Sequence, residues 1–513
     1  MPFPSKLPRP LPRLLATLAA LALVCLSSPA QNSTSTSPSP ASSGGLITND
    51  VFWHDTDGQP IYSEGGGIFK FGDTYYWYGV KYDGAVTYYN NPVATNISRA
   101  RFNAVTCYSS TDLIHWHFEN NILTANTPGI ISGWFGRLGV AYNKNTRKYV
   151  LIAQGGAPGG GDTFATGDTP TGNFTFNHVQ PSVDNVLNNT PGDQTIFVDT
   201  DGKAYLICSS SRGRNHLYVC PLRASDYLSI GPAVEIFQGP GREGNCMFKY
   251  NGRYYFCSSD LHGWNASHCY VIDAANIYGP YSPEYILPGT DADFCHVTQT
   301  GFFVTVPGAH TTTVLFCGDR WAGFAGNGLG FNQWCPLSFK GAKPYFNSVS
   351  QFNFDAASGN WTIGAANNYV LNPGFEADRV AQTSLAGWFS SPNTPNGPNR
   401  NNHDAHTGQW SLRQYSPSAY TADLTQTVNG LPSGNYTLKA WVKSSGGQNT
   451  AQIFARGYGG PELDASLNTH LANWTLITVP NIPVTTGACI VGLHSDAYPG
   501  DWLEADDLSL TKD

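Results

Sequence analysis

Residues 67–79, GIFKFGDTYYWYG, indicate the fold of this chain because they describe a β-hairpin. An apolar strand enters the turn Gly72-Asp73, which supplies the positive φ that tight hairpins need, and a strand rich in Tyr follows. Four further stretches vary this pattern, at residues 139–153, 195–209, 246–259 and 302–318. The copies lie about 50 to 70 residues apart, the spacing of blades in a β-propeller. The repeats predict an all-β chain with a five-bladed β-propeller, whose innermost strands converge on one pocket.

Composition narrows the class of protein. The chain has 513 residues, which is enough for two or three domains with their own cores. Aromatic residues make up 13% and charged residues 12%, a profile typical of an all-β protein that handles neutral polymers. The net charge is −8 and no basic stripe appears, so nucleic acid is not an expected partner.

The N-terminus predicts export. Basic residues precede the apolar run LLATLAALALVCL and a cleavage site follows at Ala30, so residues 1–30 resemble a signal peptide. The run is too short to span a bilayer, and no other stretch predicts a membrane segment. Residues 31–45 are rich in Ser, Thr and Pro and predict a disordered linker. We expect a secreted protein, extracellular or periplasmic. Few disulfides are expected, because several cysteines lie inside strand patterns.

Two folded domains are predicted. The hairpin repeats belong to a domain over residues 46–365, and a short Gly- and Asn-containing stretch follows them. From Asn367 the pattern changes to alternating strands such as NYTLKAWVKSS and WTLITVPNIPV, joined by Gly, Pro and Asn turns. This pattern predicts an antiparallel β-sandwich of the jelly-roll type over residues 367–513.

Several segments of the first domain match those of a known family. They include DTDGQPIYSEGGGIFKFGDTYYWYG from Asp55, CYSSTDLIHW from Cys107, DQTIFVDTDGKAYLI from Asp193, REGNCMFKYNGRYYF from Arg242 and CGDRW from Cys317. With these segments the domain resembles glycoside hydrolase family 43, and more narrowly its exo-β-1,3-galactanase branch. The resemblance implies a five-bladed propeller that hydrolyses glycosides from the chain end, with inversion and without a cofactor for catalysis.

Inverting hydrolysis needs an acid that protonates the leaving oxygen and a base that activates water. Glu243, in GREGNCMF, matches the family's general acid. Asp193, in PGDQTIFV, matches the Asp that keeps this acid protonated by like-charge repulsion. The alternatives are a Glu in a surface loop paired with Arg242, and an Asp that caps a strand or turn.

The general base is harder to assign. The family's usual base is an Asp just before the first hairpin strand, and Gly65 occupies that position here. Gln299, in TQTGFFV, matches a Gln of the galactanase branch and could orient the water, although a neutral amide is a poor base. Gly136 replaces the Glu of that branch, whereas Glu64 adjoins the usual base position and could restore a carboxylate. Gln299 and Glu64 both stay candidates.

Four residues are candidates for contacts with a sugar. Arg137, in GRLGV, and Arg320, in GDRW, lie in family-like segments and could donate hydrogen bonds to sugar hydroxyls. For Arg320 the alternative is a structural ion pair with Asp319. Trp264 and Trp321 could stack on sugar rings, and the alternative for each is a place in the core.

The second domain resembles jelly-roll carbohydrate-binding modules. Such modules often hold a structural Ca²⁺ where this chain has Glu376 and Asp506, and oxygen ligands suit that ion. The alternative is that both are exposed turn carboxylates. The possible sugar platforms are Trp410, Tyr420 and Tyr458. In the first domain His296 could line the channel, where some family members carry a metal.

These features favour a secreted, monomeric exo-glycosidase that releases galactose from the β-1,3-galactan of plant arabinogalactan. An α-L-arabinofuranosidase or β-xylosidase is the alternative within the same enzyme class, and the missing base Asp disfavours it. A non-catalytic sugar-binding propeller is the alternative from another class, and the joint presence of Glu243 and Asp193 disfavours it. The expected partner is a plant polysaccharide or oligosaccharide, with no nucleic acid and no membrane.

Overall fold

The structure is a computed structural model that describes residues 44–90, 101–131, 133–156, 160–263, 265–322 and 327–513, without the side chains of 321–331. The predicted signal peptide and nearly all of the predicted linker lie outside these residues. The described helices are α1 (Asp83–Asn90), α2 (Phe294–Val297) and a 3₁₀ turn at Leu187–Asn189. None has the length and apolar character that crossing a bilayer requires. All other regular structure in the described part is β, so the predicted all-β class is confirmed.

A short strand, β1 (Gly45–Thr48), precedes five antiparallel sheets of four strands each, in which the strands follow one another in chain order. The first sheet contains β2 (Glu64–Phe71), β3 (Thr74–Tyr82), β4 (Phe102–Ser110) and β5 (His117–Thr124), and the second contains β6 (Phe135–Asn143), β7 (Lys148–Gly155), β8 (Asp162–Gly167) and β9 (Thr175–Gln180). The third contains β10 (Pro191–Val198), β11 (Ala204–Ser210), β12 (His216–Pro221) and β13 (Val234–Gln238), and the fourth contains β14 (Glu243–Tyr250), β15 (Arg253–Ser259), β16 (Cys269–Ala274) and β17 (Tyr285–Ile286). The fifth contains β18 (Gln299–Pro307), β19 (Thr312–Ala322), β20 (Asn327–Lys340) and β21 (Lys343–Phe346). We refer to residues 64–346 as the five-sheet region.

The five predicted hairpins form the first two strands of the five sheets. Their turns have the expected chemistry: Gly72 and Gly252 have φ of 64° and 76°, a backbone conformation that favours glycine. The first strand of each sheet contacts the first strand of the next, and β18 contacts β2. An apolar cluster packs the sheets against one another, and the ten cysteines of the described part are buried free thiols.

A small three-stranded sheet joins the first described strand to residues that follow the five-sheet region. It consists of β1, β22 (Gln351–Phe354) and β23 (Trp361–Ile363), and Gly45 of β1 pairs with Phe354 of β22. The first described strand thus pairs with a segment more than 300 residues later, and not with any of the four-stranded sheets.

Residues 367–513, here called the C-terminal region, form two antiparallel sheets of five strands. One contains β24 (Phe389–Ser391), β27 (Tyr420–Asn429), β29 (Thr450–Arg456), β30 (Leu463–Ser466) and β32 (Ala488–Ala497); the other contains β25 (Asn399–Asn402), β26 (Ser411–Tyr415), β28 (Gly434–Ser444), β31 (Leu471–Val484) and β33 (Trp502–Lys512). Buried and exposed residues alternate along β27 and β28, as strands with one solvated face require. The region has its own apolar cluster. The domain boundaries themselves stay predictions.

Arg379 of the C-terminal region contacts the five-sheet region. Its Nη1 lies 3.3 Å from Oδ2 of Asp260 and 3.3 Å from the carbonyl oxygen of Ala266. The guanidinium also lies over the ring of Phe294, 4.5 Å from its centroid. These contacts fix both ends of the segment 260–266, which carries Gly263.

Candidate active site

All five sheets share an irregularity at the start of their first strand. In each sheet the pairing register with the second strand shifts, which marks a β-bulge or a similar irregularity. The shifts lie between Glu64 and Gly67, Phe135 and Leu138, Pro191 and Gln194, Glu243 and Cys246, and Gln299 and Phe302. Each interval contains a glycine, and bulges next to active sites redirect side chains. A glycine beside a polar residue before each hairpin is the sequence signal that could have identified this shared irregularity.

These strand starts surround one cavity of about 410 Å³. It is lined by Gly65, Tyr82, Trp134, Gly136, Arg137, Gln154, Asp193, Arg214, Glu243, Gly263 and Gln299. Of the predicted site residues, the structure brings together Glu243, Asp193, Gln299 and Arg137. Trp264 and the side chain of Trp321 lie outside the described residues.

Glu243 is the first residue of β14 and is only 9% exposed, so it is not a surface-loop residue. Its Oε1 accepts a hydrogen bond of 2.9 Å from Nε2 of Gln299, and its Oε2 lies 3.1 Å from Nη1 of Arg214. Burial, and then the charge of Asp193, raise the pKa of Glu243 to about 7. The alternative pairing with Arg242 is wrong, because that guanidinium binds a different carboxylate, Glu284.

Asp193 lies beside Glu243 and is held by two guanidinium groups. Its Oδ1 is 2.7 Å from Nη1 of Arg214, and its Oδ2 is 3.3 Å from Nε of Arg137. The backbone N–H of Gly244 donates a third contact, of 3.1 Å, to Oδ2. Burial opposes ionisation, but Arg214 and then Arg137 outweigh it and hold the pKa of Asp193 below its usual range. The Asp193 carboxylate is therefore charged where the neighbouring carboxyl group is held protonated.

Arg137 lies at the centre of a hydrogen-bond network that the sequence did not reveal. Besides Asp193, it donates to Oδ2 of Asp319 at 3.1 Å and to Oε1 of Gln299 at 2.7 Å. The second oxygen of Asp319 accepts a bond of 3.1 Å from the N–H of Gly65. Burial raises the pKa of Asp319 despite the contact with Arg137. Arg214 and Asp319 are thus functional candidates that sequence reasoning missed.

The two base candidates occupy different places. Gln299 lines the cavity with its amide held from both sides, since Arg137 donates to its oxygen and its nitrogen donates to Glu243. Glu64 is only 2% exposed and does not line the cavity. Glu64 lies near Tyr82, behind the residues that line the cavity. Burial raises the pKa of the Tyr82 phenol, and the negative charge of Glu64 raises it further.

Trp134 lies against Gly136, the position where the sequence resemblance implies a Glu and this chain has a glycine. Its indole lies directly on Gly136, so close that a Cβ added to Gly136 would be 1.7 Å from the indole Cη2. No side chain other than hydrogen fits at residue 136 with the indole in this place. Trp134 is 40% exposed and lines the cavity, which makes it a candidate to stack on a sugar ring.

Arg320 and His296 lie outside the residues that line the cavity. The predicted alternative for Arg320, a pair with Asp319, is wrong: its Nη1 lies 3.2 Å from Oδ1 of Asp50. His296 contacts the other oxygen of Asp50 at 2.9 Å and the hydroxyl of Ser348 at 2.8 Å. The described residues contain no group of three or more His, Cys, Asp or Glu side chains suited to a metal, so metal binding by His296 has no support in this part.

Asp506 is buried and Glu376 is partly buried, so neither is an exposed carboxylate. Oε1 of Glu376 accepts hydrogen bonds of 2.7 and 2.8 Å from the N–H groups of Gln409 and Trp410. Oδ2 of Asp506 accepts one of 2.7 Å from the N–H of His406. Burial raises the pKa of Glu376 to about 7. Backbone donors therefore satisfy these carboxylates, and the calcium site stays a prediction.

The three aromatic residues proposed as sugar platforms are wrong choices. Trp410, Tyr420 and Tyr458 are all buried in the C-terminal region. The hydroxyl of Tyr420 donates to the backbone of Gln414, and the ring of Trp410 packs in the apolar cluster. None of the three can present a ring face to a ligand.

Comparisons with known proteins relate the five-sheet region to a family of glycosidases. Residues 68–293 match the family model described as glycosyl hydrolases family 43. The fold is similar to that of the exo-β-1,3-galactanase of Phanerochaete chrysosporium, crystallised with β-1,3-galactotriose (21% identity, TM-score 0.54, covering 90% of this chain and 99% of that one). It is also similar to an exo-β-1,3-galactanase from Clostridium thermocellum (21% identity, TM-score 0.55, covering 91% and 100%).

A curated relative shares a shorter segment. The 1,6-alpha-glucosyltransferase of Sporosarcina globispora is 30% identical over 156 residues, which is 28% of this chain. The match spans only 12% of that relative's length. The likeness to the two galactanase structures establishes the fold. Because the sequence identity is below 25%, the activity follows from the residues of the cavity and not from this likeness.

Proposed function

We propose that the protein is a secreted, exo-acting, inverting hydrolase that releases galactose from β-1,3-galactan. The match of residues 68–293 to glycoside hydrolase family 43 supports this proposal. In this proposal the five sheets are the blades of one five-bladed propeller, and the cavity lies where their first strands meet. The protein acts as a monomer, and its partner is a neutral plant polysaccharide.

The arrangement of Glu243, Arg214 and Asp193 carries this proposal. A general acid works best when its pKa lies near the working pH, and burial with a neighbouring charge places the pKa of Glu243 at about 7. Arg214 contacts both carboxylates through one nitrogen, at 2.7 Å and 3.1 Å. A protein that only binds sugar has no need for a protonated carboxyl group beside a charged one.

Asp193 is not suited to be the base itself. Because both carboxylates touch the same nitrogen of Arg214, they lie closer together than the ~6.5–9.5 Å that separates acid and base in inverting enzymes. Both oxygens of Asp193 are also engaged by Arg214, Arg137 and Gly244. This leaves Asp193 poorly placed to take a proton from the attacking water. Its role here is to keep Glu243 protonated.

Water activation is assigned to the part of the cavity lined by Gly65 and Gln299. Glycine at position 65, with φ of 61°, leaves room there, and Gln299 lines the same cavity with a fixed amide. In this proposal the Gln299 oxygen orients the attacking water, and the proton of that water passes through a second water to the carboxylate of Glu64, which does not itself line the cavity. In this proposal the cavity of about 410 Å³ receives the end of the polysaccharide chain.

Product analysis tests the proposal. The full chain is incubated with β-1,3-galacto-oligosaccharides and with aryl glycosides of galactose, xylose and arabinofuranose, and the first product anomer is read by NMR. We expect galactose from the chain end, appearing first as the α-anomer because inversion changes a β-linkage. The control is Glu243→Gln, which should form product at least about 10²-fold more slowly.

Faster turnover of the xyloside or arabinofuranoside would overturn the galactan assignment. Galactose that appears first as the β-anomer would instead overturn inversion. No turnover of any substrate, with binding retained, would make the protein a sugar-binding propeller.

A further inference from the structure

A second cleft, of about 700 Å³, lies between the five-sheet region and the C-terminal region. Its volume is within the range of small-molecule sites, which often form at the junction of two structural units. None of the residues that line it is Asp, Glu, Lys, Arg or His. A cleft without a charged side chain suits an uncharged ligand.

One wall of this cleft exposes aromatic rings. Tyr345 of β21 is 49% exposed, and Trp361 of β23 is partly exposed beside it. Phe389 of β24 lines the same cleft and is 63% exposed. Large rings that remain exposed together in one concave place commonly mark a binding site.

The other wall offers hydrogen-bonding groups in a row. Thr425, Thr427 and Asn429 alternate with buried residues along β27, so all three side chains point to the same side of the sheet. Within the described part, their side chains form no hydrogen bond with another residue. The row is about 13 Å long, which exceeds a single sugar ring. Phe389 pairs with Thr425 in the sheet, so its ring lies beside the first residue of the row.

We infer that this cleft is a second binding site for a neutral oligosaccharide segment of the polymer on which the catalytic cavity acts. Aromatic faces stack on the apolar faces of pyranose rings, and hydroxyl and amide groups bind their hydroxyls. The inference rests on the proposed function only for the identity of the sugar. The site replaces the buried residues Trp410, Tyr420 and Tyr458 as the sugar-binding surface linked to the C-terminal region.

The test counts binding sites in a protein that does not consume its ligand. Glu243→Gln is titrated calorimetrically with β-1,3-galacto-oligosaccharides, and two equivalents should bind. Adding Tyr345→Ala and Phe389→Ala should leave one equivalent. The matched control adds Tyr498→Ala, which removes an aromatic side chain of the C-terminal region that is 59% exposed but lies outside the cleft, and should still bind two.

With Glu243 intact, the Tyr345→Ala, Phe389→Ala variant should cleave an aryl galactoside at the normal rate. Its KM for polymeric galactan should rise several-fold. Two equivalents of oligosaccharide bound by the Glu243→Gln, Tyr345→Ala, Phe389→Ala protein would overturn the second site. A second outcome would also overturn it. If the Tyr345→Ala and Phe389→Ala substitutions dissociate a dimer, measured by analytical ultracentrifugation, and leave sugar binding unchanged, the cleft is an interface between copies of the chain.

These results separate the second site from the proposed function. If galactan is not the substrate, the intact protein releases no galactose and neither site binds the oligosaccharide. If only the cleft is misassigned, galactose release is normal and the Glu243→Gln protein binds one equivalent.

Discussion

Replacing Asp193 by Asn should move the alkaline limb of the pH–rate profile to lower pH. Along this limb the activity falls because Glu243 loses the proton that it donates. Its pKa is raised from an ordinary 4.5 to about 7. This difference corresponds to about 3 kcal/mol in favour of the protonated form. Burial provides the largest part and Asp193 the next, while Arg214, Arg137 and Gln299 act in the opposite direction.

The substitution removes the like charge and leaves Arg214 with Glu243 as its only carboxylate partner at this place. Both effects stabilise ionised Glu243, so the limb should shift down by about one unit or more. At neutral pH the protonated fraction then falls from about one half to about one tenth, a roughly fivefold loss of kcat/KM. At acidic pH, where Glu243 is protonated in both proteins, the loss should be much smaller.

The measurement is kcat/KM for a β-1,3-galacto-oligosaccharide across the range from about pH 4 to 9, since this ratio reports the pKa values of the free enzyme. Asp199→Asn is the matched control. Asp199 is also a paired carboxylate, bound to Lys249 and Tyr254, but it follows the far end of β10. The alkaline limb of the pH–rate profile of Asp199→Asn should stay at the pH of the unaltered protein. An unchanged or upward-shifted limb in Asp193→Asn with near-normal activity would refute this role of Asp193.

Glu243→Gln should lower kcat by about 10²–10⁴-fold with little change in substrate binding, as judged by kinetics and calorimetry, and a loss below tenfold would exclude it as the acid. Gln299→Ala should also be severely impaired, because the amide is bonded to both Arg137 and Glu243, whereas Glu64→Gln tests whether the buried carboxylate takes the proton of the water. If Glu64 has that role, azide should restore turnover of Glu64→Gln with formation of a glycosyl azide; near-normal activity in both variants would contradict both assignments. Trp134→Ala should raise KM for galacto-oligosaccharides several-fold, and Trp134→Phe should recover most of that loss; equal KM values in all three proteins would remove Trp134 from the sugar site.

The hairpins could be predicted because their causes are local. Turn glycines such as Gly72 and Gly252 have the positive φ that their turns need, and apolar residues alternate on either side. The position of Glu243 and Asp193 at hairpin starts followed from the same repeat. At four of the five irregular strand starts a polar side chain lines the same cavity: Arg137, Asp193, Glu243 and Gln299.

The partners of these groups could not be predicted, because they are distant in the chain. Arg214 comes from the segment between β11 and β12, where nothing in the sequence marks it as the group that bridges two carboxylates. Arg320 binds Asp50, 270 positions away, although an acidic residue is its direct neighbour. Adjacent residues of a strand point to opposite faces, so sequence neighbours are poor candidates for a side-chain pair. The burial of Trp410 likewise depends on packing that its neighbours in sequence do not specify.

The contact of Arg379 with Asp260 has a consequence for heat inactivation and for exchanging modules between enzymes. This guanidinium holds a segment that carries Gly263, one of the residues lining the catalytic cavity. Local opening of the C-terminal region on heating would release that segment while the five sheets are still intact. Turnover should then be lost at a lower temperature than the β-sheet signal of the five-sheet region. A foreign module grafted after residue 366 would need a cation at the place of Arg379 to retain full activity.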